Sequence, residues 1–190
     1  PTPDIEKVKA NADLVYGSKK THRMIFLFLD SGRETSPVRE AARRSVLCWL
    51  ATVDVEGQPN VSPKEVWAIA DDQHVVVAHI ASPMSARNIA QHPQVCLSFV
   101  DVFVQKGFKL VGTAREVRAG DAEFATWAKP LLAMVGQRFT IQSVLVVHVK
   151  SVSAIVAPSY RFYPDDTTEA SQVASAMQAY NVQAVEKDKP

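Results

Sequence analysis

The stretch VLCWLATVDVEGQPNVSPKEVWAIADDQHVVVAHI, residues 46–80, determines what kind of fold this chain can adopt. Apolar runs rich in β-branched and aromatic residues alternate in it with two short turn-forming groups, VEGQ around Gly57 and DDQ at 71–73. Runs of this length and composition predict three strands, at 46–54, 60–70 and 74–80, connected as an antiparallel meander. A β-sheet is therefore expected at the centre of the fold.

Three more strands are predicted downstream, at 95–104, 108–117 and 143–158, the first two separated by a turn at QKG. The segment 120–139 has the spacing of an amphipathic helix, which Pro130 must kink or restart. Many short antiparallel strands with few helices favour a closed or nearly closed barrel, because closure removes exposed sheet edges. The sequence thus predicts a mainly β (α+β) fold: an antiparallel six-stranded barrel with short flanking helices.

Helices are predicted on both sides of these strands. Ser36 is a suitable N-cap and Pro37 suits the first position of a short helix that leads into the sheet. The tail 167–182 begins with a threonine cap, and its apolar face is expected to lie in the core or in an interface; that face carries Val173, Met177 and Tyr180. Nearer the N-terminus we predict a short helix ending near Gly17 and a buried strand or helix at RMIFLFLD.

Composition narrows the classes of function. The 190 residues are 47% hydrophobic and 22% charged, which is typical of one soluble globular domain. A net charge of +1 with scattered charges disfavours nucleic acid as a partner. The apolar run at 24–29 is far shorter than the roughly 20 residues of a membrane span, and without a signal-peptide pattern we expect a cytoplasmic protein. Cys48 and Cys96 lie in strand-like runs, as core cysteines do.

A short helix is predicted between two of the strands, in SPMSARNIAQHP at 82–93. Ser82 suits the N-cap and Pro83 the first helical position. The start of a helix exposes unpaired N–H groups with a partial positive charge, which can bind an anion such as phosphate. Ser85 and Asn88 share a face of this helix, and Arg87 can add charge from beside it. The alternative is a connecting helix that Ser82 merely caps.

Three segments together resemble the pyridoxamine phosphate oxidase-like family of FMN-binding split barrels: SVLCWLATVDVEGQPNVSPKEVWAI, ASPMSARNIAQHPQVCLSFVD and KLVGTAREV. The resemblance covers roughly residues 36–165. It implies a split β-barrel that binds FMN, with the phosphate at the helix that follows Ser82. Residues 1–35 lie outside it as an N-terminal extension, and residues 166–190 form a C-terminal helical tail.

The resemblance also implies which residues bind FMN. Lys64 is expected close to the flavin ring or the phosphate, and residues 78–80 are expected to offer main-chain groups. Because members of the family form twofold homodimers with a flavin at each subunit boundary, the turn containing Gln105 and Lys106 is expected to reach the flavin of the neighbouring subunit. The expected cofactor-binding residues are Ser62, Pro63, Lys64, Glu65, Val66, Ala78, His79, Ile80, Ser82, Ser85, Arg87, Asn88, Gln105 and Lys106. Each could instead be an ordinary structural or surface residue.

Two departures from the family pattern bear on function. Ser85 stands where many relatives have a basic residue, which removes a charge partner for the phosphate. SYRFYPDD at 159–166 replaces the tryptophan and arginines that hold substrate in pyridoxamine phosphate oxidase proper, so that activity is not expected.

The function expected from the resemblance is an FMN-dependent oxidoreductase acting on a small-molecule redox substrate. A non-catalytic flavin-binding or carrier protein, or a relative using heme or a deazaflavin, remains an alternative. No catalytic residue is assigned, because the sequence contains no convincing Ser-His-Asp or Cys-His arrangement, and no metal site is expected from its five histidines.

Overall fold

Seven antiparallel strands form the sheet of the computed structural model, which describes residues 36–136 and 139–185. The strands are β1 (Cys48–Val53), β2 (Pro59–Lys64), β3 (Trp67–Ile69), β4 (His74–His79), β5 (Gln94–Asp101), β6 (Lys106–Arg118) and β7 (Ser143–Val156). The helices are α1 (Pro37–Arg44), α2 (Pro83–Gln91), α3 (Phe124–Val135), α4 (Ser159–Phe162) and α5 (Glu169–Tyr180). The two elements predicted before residue 36 lie outside the described residues.

The strand order closes the sheet on itself. The order is β2-β1-β5-β6-β7-β4-β3, so β2 and β3 are the two edge strands. Only Glu65 and Val66 separate them in the chain, and three Cα–Cα steps of 3.8 Å can span at most about 11 Å. The two edges must therefore meet at one point, which curls the sheet into a half-barrel and confirms the predicted split barrel.

Two details of the predicted strands were wrong. The run at 60–70 is two strands rather than one, because β2 pairs with β1 whereas β3 pairs with β4, at opposite edges of the sheet. The predicted meander is therefore interrupted at Glu65 and Val66. The turn expected at QKG lies earlier, at 102–105, because the Asp101 carboxylate accepts hydrogen bonds from the N–H groups of Phe103 and Val104 and turns the chain there.

Apolar residues pack on both faces of the sheet. The inner face is filled by fully buried side chains that include Leu50, Leu97 and Phe99, and α1 and α2 pack against it. The outer face carries a second cluster under α3, where Leu131 is fully buried. The helix α3 continues through Pro130. The helix α2 thus packs against the inner face of the half-barrel, and α3 packs against its outer face.

The C-terminal helix begins as predicted. Thr168 caps α5 in a reciprocal capping box with Ser171. On its apolar face Val173 and Met177 are partly buried, whereas Tyr180 is exposed and meets the ring of Phe103 edge-on. Within 36–136 and 139–185, every helix is too short or too polar to cross a lipid bilayer.

Candidate cofactor site

The candidate site is a pocket where the ends of β2 and β4 meet the start of α2. Its volume is about 400 Å³. It is lined by Leu47, Pro63, Lys64, Glu65, Val66, Ala78, Ile80, Ala81, Ser82 and Phe139. The break between β2 and β3 creates this pocket, since the chain leaves one sheet edge there and crosses to the other. Half of the residues predicted from the sequence come together here, and Leu47, Ala81 and Phe139 join them.

Lys64 is the most unusual residue in the pocket. It is only 5% exposed, and its Nζ donates a hydrogen bond of 2.5 Å to Ser82 Oγ. Among the described residues no carboxylate lies within ion-pair distance of it. Burial lowers the pKa of this lysine, because the ammonium form loses solvation. A buried cation with a neutral partner favours a bound anion at this position.

The start of α2 adds a second source of positive potential. Ser82 occupies the N-cap position, as predicted, but its side chain makes no cap hydrogen bond to the helix. Its hydroxyl instead accepts the hydrogen bond from Lys64. The first turn of α2 contains no acidic residue, so the positive end of the helix dipole is not offset by a local carboxylate. Lys64 and the start of α2 therefore meet at Ser82.

Ser85 and Asn88 lie on the face of α2 that packs against the sheet. Both are buried, and they attach α2 to the sheet. The Ser85 hydroxyl is 3.2 Å from that of Ser62, and the Asn88 amide donates to Thr52 Oγ1 at 3.1 Å. Thr52 also accepts a hydrogen bond from Asn60. These side chains form a polar contact between α2 and the strands β1 and β2. A role for Ser85 and Asn88 at a phosphate remains a prediction.

Sequence reasoning did not single out Thr52 and Asn60 as members of this contact. A signal was present for Asn60, because asparagine is depleted in strands and its occurrence there suggests a specific polar partner. The partner itself could not be identified, since it depends on the packing of α2 across β1 and β2.

The imidazole of His79 faces away from the pocket. Side chains alternate along a strand, and the neighbours Ala78 and Ile80 line the pocket. His79 Nδ1 lies 3.0 Å from Ser143 Oγ, which donates a 2.6 Å hydrogen bond to Glu116. His79 can thus reach a ligand in this pocket only through its main chain. The main-chain contact expected of it remains a prediction.

The remaining predicted residues lie outside the pocket of their own chain. Arg87 is exposed on α2, and Gln105 is exposed with a positive φ of 56° at the turn before β6. Lys106 forms an ion pair of 2.8 Å with Glu169 of α5 and lies over the ring of Tyr160. The contact of Gln105 and Lys106 with the cofactor of a neighbouring subunit remains a prediction. So does the charge that Arg87 was expected to add beside the phosphate at the start of α2.

Comparison with known families identifies the class of protein. The model of the pyridoxamine 5'-phosphate oxidase family matches residues 35–156, which is more than half of the chain. The chain belongs to this family, as its sequence pattern predicted.

Particular relatives were found by sequence and by structure. Heme oxygenase HutZ of Vibrio cholerae serotype O1 (strain ATCC 39315 / El Tor Inaba N16961) is 30% identical over 115 residues, which are 57% of this chain and 62% of HutZ. The match therefore spans less than two thirds of that relative's length. The structure of HupZ from Group A Streptococcus has 25% identity and a TM-score of 0.55, covering 66% of this chain and 99% of that one.

An FMN-binding protein from Syntrophomonas wolfei subsp. wolfei has a TM-score of 0.56 at 13% identity, covering 80% of this chain and 97% of that one. At that identity the likeness shows the fold alone. The family model thus confirms the predicted family, and the structural comparisons confirm the predicted fold.

Proposed function

We propose that the chain binds FMN, with the phosphate held between Lys64 and the start of α2. The observation that carries this proposal is the buried ammonium of Lys64, which donates a hydrogen bond to the neutral hydroxyl of Ser82. A phosphate there would supply the missing negative charge and accept hydrogen bonds from Lys64 and from main-chain N–H groups of the helix.

The rest of the pocket suits a flat, largely apolar ring. Leu47, Val66, Ala78, Ile80 and Phe139 contribute apolar surface, and the volume lies in the range of small-molecule sites. Bound FMN would supply the redox chemistry. In that arrangement Lys64 and Ser82 bind the phosphate, and the apolar walls orient the ring and exclude water from it.

We infer that such a protein acts as an oxidoreductase on a small molecule. The alternative is a protein that carries flavin without turning it over. Both predict tight FMN binding, so they differ only in whether a reduced nicotinamide or another small donor is consumed by the loaded protein. Family membership supports a redox role for the fold.

Heme is the second candidate, and the similarity to heme oxygenase HutZ favours it. Lys64 could bind a carboxylate of heme as well as a phosphate. Against it, the described residues that line the pocket include no histidine to ligate the iron, and the His79 imidazole is engaged with Ser143 on the other face of the strand. The pocket therefore fits FMN better than heme.

We also propose a twofold homodimer. A row of apolar residues crosses the outer face of β2, β1, β5 and β6 in register, and we call it the outer row: Val61, Ala51, Cys96 and Val111. Val61 is 61% exposed and Val111 40%, and Trp49 on the same face is 45% exposed. Ala51 and Cys96, which lie between Val61 and Val111, are half-buried. Exposed apolar surface of this kind is typical of an interface, and a twofold dimer buries the same surface on both subunits.

Titration of the purified protein with FMN, riboflavin and hemin tests the cofactor. We expect FMN to bind more tightly than riboflavin, which has the same ring but no phosphate. Lys64→Ala should weaken FMN binding by about 1.5–3 kcal/mol, the range for hydrogen bonds to charged groups, and leave riboflavin binding nearly unchanged. Lys109→Ala, at an exposed strand lysine, is the matched control. Equal affinities for the two flavins, or preferential binding of hemin, would contradict the proposal.

A further inference from the structure

His74 and His148 lie side by side on the outer face of the sheet, at a margin that α3 leaves open. They are direct cross-strand partners in the β4–β7 ladder. Their ring centroids are 5.2 Å apart with the planes inclined by 42°. His74 is partly buried and His148 is exposed. Both line a pocket of about 350 Å³, together with Thr113 and Arg115, that shares no lining residue with the candidate cofactor site.

The Asp71 carboxylate determines which ring nitrogen of His74 carries the proton. Both carboxylate oxygens of Asp71 lie 2.9 Å from His74 Nδ1, so the proton is assigned to Nδ1 and the lone pair to Nε2. The main-chain N–H groups of Gln73 and His74 also donate hydrogen bonds to Asp71 Oδ1, at 2.7 and 2.8 Å, and these bonds fix the carboxylate in place behind the imidazole. A carboxylate behind the Nδ1–H of a histidine is the arrangement that orients metal-binding histidines in proteins.

We propose that His74 and His148 together bind a divalent transition-metal ion such as Zn²⁺, through Nε2 of His74 and the imidazole of His148. Two imidazoles on one tetrahedral ion, with metal–nitrogen distances of about 2.1 Å, place their ring centroids about 5 Å apart, close to the observed spacing. Imidazole is a preferred ligand of Zn²⁺, Cu²⁺ and Ni²⁺. Water would complete the coordination, because the described residues contain no group of three or more ligating side chains.

The surrounding charges permit a cation here. Arg115 lines the same pocket, but both of its terminal nitrogens bind the carboxylate of Glu123, at 2.5 and 2.6 Å. The two charges offset each other, and Asp71 leaves the cluster with a net negative charge. Sequence reasoning expected no metal site, because the two histidines are far apart in the chain and become neighbours only through the β4–β7 pairing.

Quenching of tryptophan fluorescence by Cu²⁺ tests this site directly. The ring of Trp127 lies 5.0 Å from that of His74, so an ion bound to the pair should quench Trp127 strongly. We expect saturable quenching of the full chain by Cu²⁺ alone, reversed by excess Zn²⁺. In His74→Gln and in His148→Gln we expect the saturable phase to be lost, to the same extent as in the double variant, because a chelate needs both ligands. His92→Gln, at the histidine that ends α2, is the matched control and should behave as the parent does.

Two further measurements keep the test decisive. Asp71→Asn retains both ligands and should weaken Cu²⁺ binding by about 10- to 100-fold, the usual effect of losing such a supporting carboxylate. Zn²⁺ should raise the unfolding temperature of the parent and not of the histidine variants, because a ligand that binds the folded state stabilises it. Unchanged quenching in either single variant, or its loss in His92→Gln instead, would overturn the proposal.

Discussion

Lys64 shows how a single residue can define a site. A lysine on a strand normally keeps its ammonium in water, whereas this one is buried at the end of β2 with its Nζ against Ser82. The resemblance to the family predicted a role for Lys64 near the cofactor, whereas the residue taken alone is more typical of a surface strand lysine. Its burial was not predictable from the sequence, because the break at Glu65 and Val66 that encloses it depends on strand pairing elsewhere in the sheet.

Burial of Lys64 predicts how FMN binding responds to alkaline pH. Only the ammonium form attracts a phosphate, and burial places its pKa below the ordinary 10.5. Affinity should therefore be complete below the lowered pKa and should fall as the pH rises through it, before 10.5 is reached. Lys64→Arg keeps its charge throughout this range and should lose less affinity. Dissociation constants measured from about pH 7 to about pH 10 check this, and parallel curves for the two proteins would show that Lys64 does not carry the effect.

At the scale of elements, local signals in the sequence located most helices and strands. Ser36 with Pro37 marked α1, Ser82 with Pro83 marked α2, and the turn at Gly57 joined β1 to β2, all as observed. The turn after β5 lies earlier than predicted because the Asp101 carboxylate accepts a main-chain hydrogen bond there. The 60–70 run forms two strands because its first half pairs with β1 and its second half with β4. Such choices depend on contacts between distant segments, which no local pattern records.

The β6–β7 ladder offers a prediction at this scale. The register shifts between Val111 and Gly112, and a Cβ at Gly112 would lie 2.1 Å from the carbonyl oxygen of His148. Gly112→Ala should therefore push the two strands apart and destabilise the fold by about 1–3 kcal/mol, as overpacking does. Gly120→Ala is the control, because a Cβ there meets nothing within 4 Å. Chemical denaturation measures both, and equal stabilities would mean that the backbone relaxes at no cost.

For the whole molecule, the family and the half-barrel could be predicted from the order of strands and turns, and both are confirmed. The predicted homodimer and the predicted reach of Gln105 and Lys106 into a neighbouring subunit remain proposals. The outer row supplies a surface for such an assembly, but the sequence could not identify it, because its members share a face only through the β2-β1-β5-β6 register.

Val61→Glu tests the proposed dimer. It places a charge in the outer row, where association would bury it without a partner, so self-association should weaken by at least about tenfold. Val55→Glu, the control, changes a valine of almost the same exposure, 62% against 61%, in the turn between β1 and β2. Sedimentation of the parent and both variants at several concentrations gives the comparison. A dimer that persists in Val61→Glu, or a monomeric parent protein, would exclude the outer row as the interface.

The late position of β7 in the chain determines when the barrel can be completed during synthesis. The hairpin of β3 and β4 can form early, but the other side of β4 pairs with β7, which begins only at Ser143. β6 also waits for the same strand. A nascent chain that has not yet reached β7 therefore presents two long unpaired edges, which is the form most exposed to aggregation and to capture by chaperones.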